Sequence, residues 1–149
     1  FEGAPVSTSK NDIDTIVTMM KAFYAIDNYP IDKEKSKTLF QEFISNEDLG
    51  KSWLILSDEE TVGYVILTFV FSFEYQGKIA FLDELYLNEK ARGKGIGSQA
   101  VTFVLEQSKK LSLQLIYLEI ENHNQNAQKL YIANGFELHN RKLMTHKLK

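Results

Sequence analysis

Apolar residues at Ile13, Ile16, Val17, Met20, Phe23 and Tyr24 fall at the spacing of one helical face. Asn11 or Asp12 stands where a helix cap is expected, and Asp27-Asn28-Tyr29-Pro30 breaks the helix. A second helix is expected after Asp32, burying Leu39, Phe40, Phe43 and Ile44. Strand patterns then run through Trp53–Leu56, Val62–Tyr75 and Lys78–Leu87, with turns at Asp58-Glu59-Glu60 and Gln76-Gly77. The period returns to helical from Gly95 to Leu111, where Ile96, Ala100, Val101, Val104, Leu105 and Leu111 share a face. Gln114–Glu121 reads as a strand, and Asn124 as the cap of a short helix through Ala127, Leu130 and Tyr131. Gly135 fits the left-handed position past that helix, with Phe136 packing back on its last turn. Residues Ala4–Thr8 suggest a short first strand, and Phe136–Leu148 two short closing strands. Strand runs interleaved with crossover helices predict a mixed α/β fold. Its central sheet is mixed but mostly antiparallel, with helices on both faces.

Composition narrows the field. With 149 residues, two prolines and no repeat or linker-like tract, the chain is expected to form a single domain over residues 1–149. The hydrophobic fraction of 44% is enough for a true core. A net charge of −3 offers no basic surface for nucleic acid. The longest apolar run, Val65–Phe73, is too short to span a membrane, and no basic start precedes an apolar leader. A cytoplasmic location without membrane or nucleic-acid partners is the expectation. The absence of cysteine removes disulfides, thiolate metal sites and a cysteine nucleophile together. His123, His139 and His146 lack metal-ligand spacing, so no metal is expected.

The segment that carries chemistry is Arg92-Gly93-Lys94-Gly95-Ile96-Gly97, set between a strand and an amphipathic helix. Glycine permits positive φ and close ligand approach. Successive amides in such a turn form an anion-binding nest, and the following helix adds its positive end. Arg92 and Lys94 add full charges, so the segment suits a phosphate or pyrophosphate. It is not a P-loop, because no Lys precedes Ser98 after the last glycine. Nor is it the dinucleotide fingerprint, because Gly97 follows Gly95 by two residues rather than three.

The strand Ala80–Leu87 followed by this turn resembles the GNAT superfamily of acyl-CoA-dependent N-acyltransferases, whose turn has the form Arg/Gln-x-x-Gly-x-Gly/Ala. A second family pattern, Asn-x-x-Ala-x-x-x-Tyr ending in Gly-Phe, matches Asn124, Ala127, Tyr131, Gly135 and Phe136. The resemblance covers about Ile79–Phe136 strongly and the rest weakly. It implies that acetyl-CoA is the cosubstrate and that the sheet splays between Lys78–Leu87 and Gln114–Glu121. The amides of Arg92–Gly97 would then hold the CoA pyrophosphate. Leu85, Tyr86 and Leu87 would flank the pantetheine arm, with an amide near Leu85 polarising the thioester carbonyl. Asn124 matches a position that touches that arm, a role compatible with its cap.

Tyr131 matches the family's general acid, and a phenol titrating near about 10 stays protonated at neutral pH. A base is also needed, because a primary amine with pKa near about 10.4 is mostly ammonium. Strand alternation puts Leu82, Glu84 and Tyr86 on one face and makes Glu84 the first candidate, ahead of Glu119, Glu121 or a water chain. Without cysteine, an acetyl-cysteine intermediate is excluded and the amine attacks directly in a ternary complex. The acceptor is expected as a small-molecule or peptide amine entering near Tyr24, Asp27 and Tyr29, although Tyr24 fits the core face equally well. Three alternatives stay open: a non-catalytic acyl-CoA-binding module, a protein acceptor, and an aminoacyl-tRNA acceptor. Homodimers are common in such a family, and the sequence leaves that state open.

Overall fold

The protein is described by a computed structural model covering residues 5–149. The chain gathers into two compact units, one ending at Glu119 and one spanning Ile120–Lys149. Ala4 of the expected first strand lies outside the described residues.

The first unit is a five-stranded sheet in the order β1-β2-β3-β4-β5 with three helices. Strand β1 is Val6–Ser7, β2 Gly50–Ser57, β3 Glu60–Ser72, β4 Gly77–Leu87 and β5 Ile116–Tyr117. Helices α1 (Ile13–Ile26) and α2 (Lys33–Ser45) lie between β1 and β2, and α3 (Ile96–Lys110) crosses from β4 to β5. The crossover makes β5 parallel to β4, while the other neighbours are antiparallel.

Local chemistry accounts for these elements. A 3-10 turn at Lys10–Asp12 precedes α1, and Asp12 accepts hydrogen bonds from the Ser9 amide (2.9 Å) and hydroxyl (3.0 Å). The entry is therefore a Ser9–Asp12 box rather than a cap supplied by Asn11 or Asp12. Asp32 caps α2 as expected, accepting from the Lys35 amide at 3.1 Å. Asp58 and Glu59 both take positive φ, so the β2–β3 connection is a tight two-residue hairpin.

The helices cover both faces of the sheet. Ile13, Ile16, Val17 and Met20 of α1 and Phe40 of α2 pack with Leu54, Tyr64, Ile66 and Tyr86 on one face. On the other, Trp53 meets Phe103 of α3 edge-on at 5.4 Å. Each fully buried aliphatic side chain contributes about 1.5–3 kcal/mol, so α1 is held mainly by this face. Leu39 departs from its expected burial and is half exposed, because Phe40 takes the inward position on α2.

Two departures shape the site. Residue Ile66 pairs with Glu84 but Leu67 with Leu82, so Asp83 is an extra residue bulging from β4. The bulge places Leu82 on the α3 face and corrects the expectation that Leu82, Glu84 and Tyr86 share one face. Strand β5 is also shorter than the expected Gln114–Glu121. It pairs with β4 only at Ala80–Ile116 and Phe81–Tyr117, and β4 runs on to Leu87 without it. That early end of the ladder is the splay.

In the second unit, α4 (Gln125–Ala133) is capped by Asn124, which accepts from the Ala127 amide at 3.0 Å. Gly135, at φ +93°, closes it: Gly135 N donates to Ile132 O (3.1 Å) and Phe136 N to Tyr131 O (3.0 Å). The Phe136 and Tyr131 rings pack at 5.5 Å. The expected closing strands over Phe136–Leu148 do not form; these residues alternate in polarity but enter no ladder among the described residues. Alternation marks a strand only when an edge is available to pair with it.

Candidate active site

The Gly-rich turn grows out of the end of β4. Asn88 accepts from the Ala91 amide at 3.2 Å and sets a 3-10 turn at Glu89–Ala91. The Arg92 Nε then donates to the Leu87 carbonyl at 3.0 Å, and its guanidinium lies 6.0 Å from the Tyr86 ring centre. Gly93 and Gly95 sit in the left-handed region at φ +74° and +78°, which favours glycine. A Cβ at either would meet nothing within 4 Å, so backbone conformation rather than crowding calls for glycine there. Arg92, Gly93, Lys94 and Gly95 are exposed, whereas Ile96 is buried and anchors the helix start. Gln99 N bonds to Gly95 O at 3.2 Å. The amides of Ile96 and Gly97 therefore precede the first intrahelical bond at the positive end of α3. Leu85, Tyr86 and Leu87 lie on β4 beyond the end of the β5 ladder.

Glu84 is the centre of a polar cluster under α1. Its Oε1 accepts from the Tyr64 hydroxyl and its Oε2 from the Tyr24 hydroxyl, each at 2.7 Å. Burial pushes the carboxyl above its usual range; the two phenols pull it back, and the neighbouring Asp83 charge pushes it further up. Asp83 is lifted by desolvation too, but it is exposed and water screens much of that effect. Burial and the Glu84 carboxylate raise both phenols, which therefore remain protonated donors. The Tyr64 and Tyr86 rings lie 5.8 Å apart, and Phe23 packs on both.

The remaining sequence candidates distribute as follows. Tyr24 is held at the edge of the core by Glu84. The Tyr29 amide donates to the Tyr24 carbonyl at 2.9 Å, folding the α1–α2 break back on the helix, and Tyr29 is 54% exposed. Asp27 is the C-terminal cap position of α1. Glu119 and Glu121 lie past the end of β5 and are exposed. In the second unit, burial pushes the Tyr131 phenol up to about 12. Tyr64 was absent from the sequence candidates. Its signal was the β3–β4 pairing, which sets Tyr64 opposite Tyr86 and diagonal to Glu84.

The model of the acetyltransferase (GNAT) family matches residues 17–136, and the chain belongs to that family. It is 28% identical to the D-amino-acid N-acetyltransferase HPA3 of Saccharomyces cerevisiae over 66% of this chain and 62% of that protein. The chain spans about three fifths of the length of curated relatives of this kind. The integron cassette protein HFX_CASS3, from the mobile metagenome of Cole Harbour Salt Marsh, superposes with a TM-score of 0.87 at 29% identity, covering 97% of this chain and 90% of that one. The aminoglycoside N-acetyltransferase AAC(6')-Iy, solved with CoA, shares the fold with a TM-score of 0.81 at 15% identity over 97% and 93% of the two chains. No helix among the described residues is long and apolar enough to cross a membrane.

Proposed function

We propose that the chain, as one domain over residues 1–149, moves the acetyl group of acetyl-CoA to a primary amine by direct attack within a ternary complex. The observation that carries the reading is the pair of left-handed glycines, Gly93 and Gly95, ahead of the positive end of α3, where β4 outruns β5. Amides from Arg92 to Gly97 hold the pyrophosphate, and Arg92 and Lys94 add charge. The pantetheine amides complete the ladder along Leu85–Leu87, with an amide near Leu85 polarising the thioester carbonyl. Asn124 both caps α4 and contacts the arm.

Glu84 takes one proton from the acceptor's ammonium. The freed nitrogen pair attacks the thioester carbon and forms the N–C bond, and the C–S bond breaks with its electrons on sulfur. The second proton of the attacking nitrogen passes to the departing thiolate, and Glu84 returns its own proton to solvent. Tyr131 donates its hydroxyl hydrogen toward the departing thiolate. Burial suits both side chains: it keeps the phenol protonated, and it lifts the carboxyl toward the pH at which a base is useful. The acceptor enters near Tyr24, Asp27 and Tyr29. A screen of polyamines, aminoglycosides, amino acids and peptides, read by thiol release from acetyl-CoA, tests the reaction. Release with no amine in the panel, or no release at all, goes against it.

A further inference from the structure

Glu84 is clasped by two hydroxyls at equal distance, yet the two donors are built differently. Tyr64 is fully buried on a strand paired on both sides, and its ring packs against Phe23 and Tyr86. Were its hydroxyl pulled off Oε1, it would be left without water or partner, which is expensive. Tyr24 is only partly buried. It lies two residues before the end of α1, next to a break where Asn28 takes positive φ. Its hydroxyl can exchange Glu84 for water.

The titratable groups around the carboxylate are Tyr24 from α1, Tyr64 from the neighbouring strand β3, and Asp83 from its own strand β4, on which Tyr86 packs against the Tyr64 ring. None is a cation. A part-buried carboxylate whose hydrogen-bond donors among the described residues are neutral hydroxyls binds an ammonium more strongly than a phenol, because the new hydrogen bond joins opposite charges. Of the two donors, Tyr64 is fully buried and Tyr24 is the one that reaches solvent.

We propose that the Tyr24 hydroxyl is a placeholder on Glu84 Oε2 that the acceptor's ammonium displaces, while Tyr64 holds Oε1 throughout; Tyr64 is thereby a positioning residue, and Tyr24 selects cationic acceptors. This builds on Glu84 as the base. The displaced Tyr24 ring stays beside the cation, where its face adds attraction.

The test uses the whole chain with 13C-labelled glutamate, the Glu84 carboxyl resonance being assigned by its loss in Glu84→Gln. Its titration is followed in the wild type, Tyr24→Phe and Tyr64→Phe, with and without saturating n-butylammonium. Without the amine, both variants shift the midpoint upward, since each loses a donor to the charged form. With the amine, the wild-type midpoint falls and Tyr24→Phe converges on it, while Tyr64→Phe stays above. A Tyr24→Phe gap that persists in amine overturns the placeholder, as does a wild-type midpoint the amine leaves unmoved. The base is judged separately from the pH–rate profile of Glu84→Gln. Convergence with an unaltered profile retains the cation site and removes the base; a persistent gap with a lost acid limb does the reverse.

Discussion

Tyr64 donates a 2.7 Å hydrogen bond to Glu84 from the adjacent strand, as a diagonal neighbour on the same face of the sheet. The contact exists because Asp83 bulges out of β4 and returns Glu84 to the α1 face after Leu82 has turned to the α3 face. A carboxylate is thus placed under the first helix, in surroundings that disfavour its charge.

Stability should carry the mark of that arrangement. The folded Glu84 carboxyl titrates above its unfolded value, so between the two values the native state binds more protons than the unfolded chain. The contribution of Glu84 to stability is then fully present below the ordinary carboxylate range and is lost as pH rises through the folded value. Glu84→Gln removes the charge but keeps an acceptor for the tyrosines. Its melting temperature should equal or exceed that of the wild type at neutral pH, with the gap closing as pH falls through the raised folded value and gone below about 4.3. A variant less stable than wild type at neutral pH would show that the two hydrogen bonds outweigh burial.

Activity of the same variant should move the other way. As the base is typically worth about 10²–10⁴-fold, Glu84→Gln should lower turnover by that order at neutral pH. The deficit should shrink as pH approaches the amine's own pKa, because free amine then arrives already deprotonated. Wild-type rates at neutral pH would pass the role to a water chain or to Glu119.

The Gly-rich turn separates strain from charge. Gly95→Ala places a Cβ in open space but forces an L-residue into left-handed φ, so denaturant unfolding should show a loss of about 1–2 kcal/mol. CoA affinity by calorimetry should suffer modestly. Gly95→Asp adds a negative charge beside the proposed pyrophosphate and should weaken CoA far beyond the alanine variant. Equal affinities for the two variants would move the phosphates elsewhere.

Much of this architecture was legible in the chain because it rests on local signals. The Asp32 cap, the Asp58–Glu59 turn, the Gly95 helix start and the Gly135 closure follow from residue chemistry within a few positions. The facing of Glu84 was also read from alternation, but Leu82 was not, since a bulge resets the period and no residue type announces it. Tyr64 was hidden for a related reason: its partner is 20 positions away, and only the hairpin register brings them together. The strands expected over Phe136–Leu148 failed differently. Leu138, Leu143, Met144 and Leu148 supply the pattern, but pairing depends on an edge that no local pattern encodes.

At the α1–α2 break, Tyr29 offers an exposed ring two residues after Asp27, the cap position of α1. If the acceptor cation passes there, Tyr29→Ala should raise its KM by about two- to five-fold, the size of an exposed cation–π contact, and leave kcat unchanged. Asp27→Asn should act in the same direction. An unchanged KM for the best amine in both variants would remove this entrance.

Tyr131→Phe isolates the acid. The substitution keeps the ring, and with it the 5.5 Å packing on Phe136, so the helix closure and the melting temperature should survive. What is lost is a hydroxyl held protonated by burial, with a pKa pushed up to about 12. A thiol near about 8.5 leaves as a stable anion, so the phenol's share is a hydrogen bond that strengthens as charge builds on sulfur. Turnover should fall by about 10²–10⁴-fold with CoA affinity unchanged. Because burial keeps the phenol protonated through this range, the deficit should be the same at every pH from neutral to mildly alkaline. That uniform loss separates it from Glu84→Gln, whose deficit shrinks with rising pH. A Tyr131→Phe deficit that also recovers at high pH would mean that the phenol serves the amine's proton rather than the thiolate. An unchanged kcat would leave the thiolate to depart without a side-chain donor.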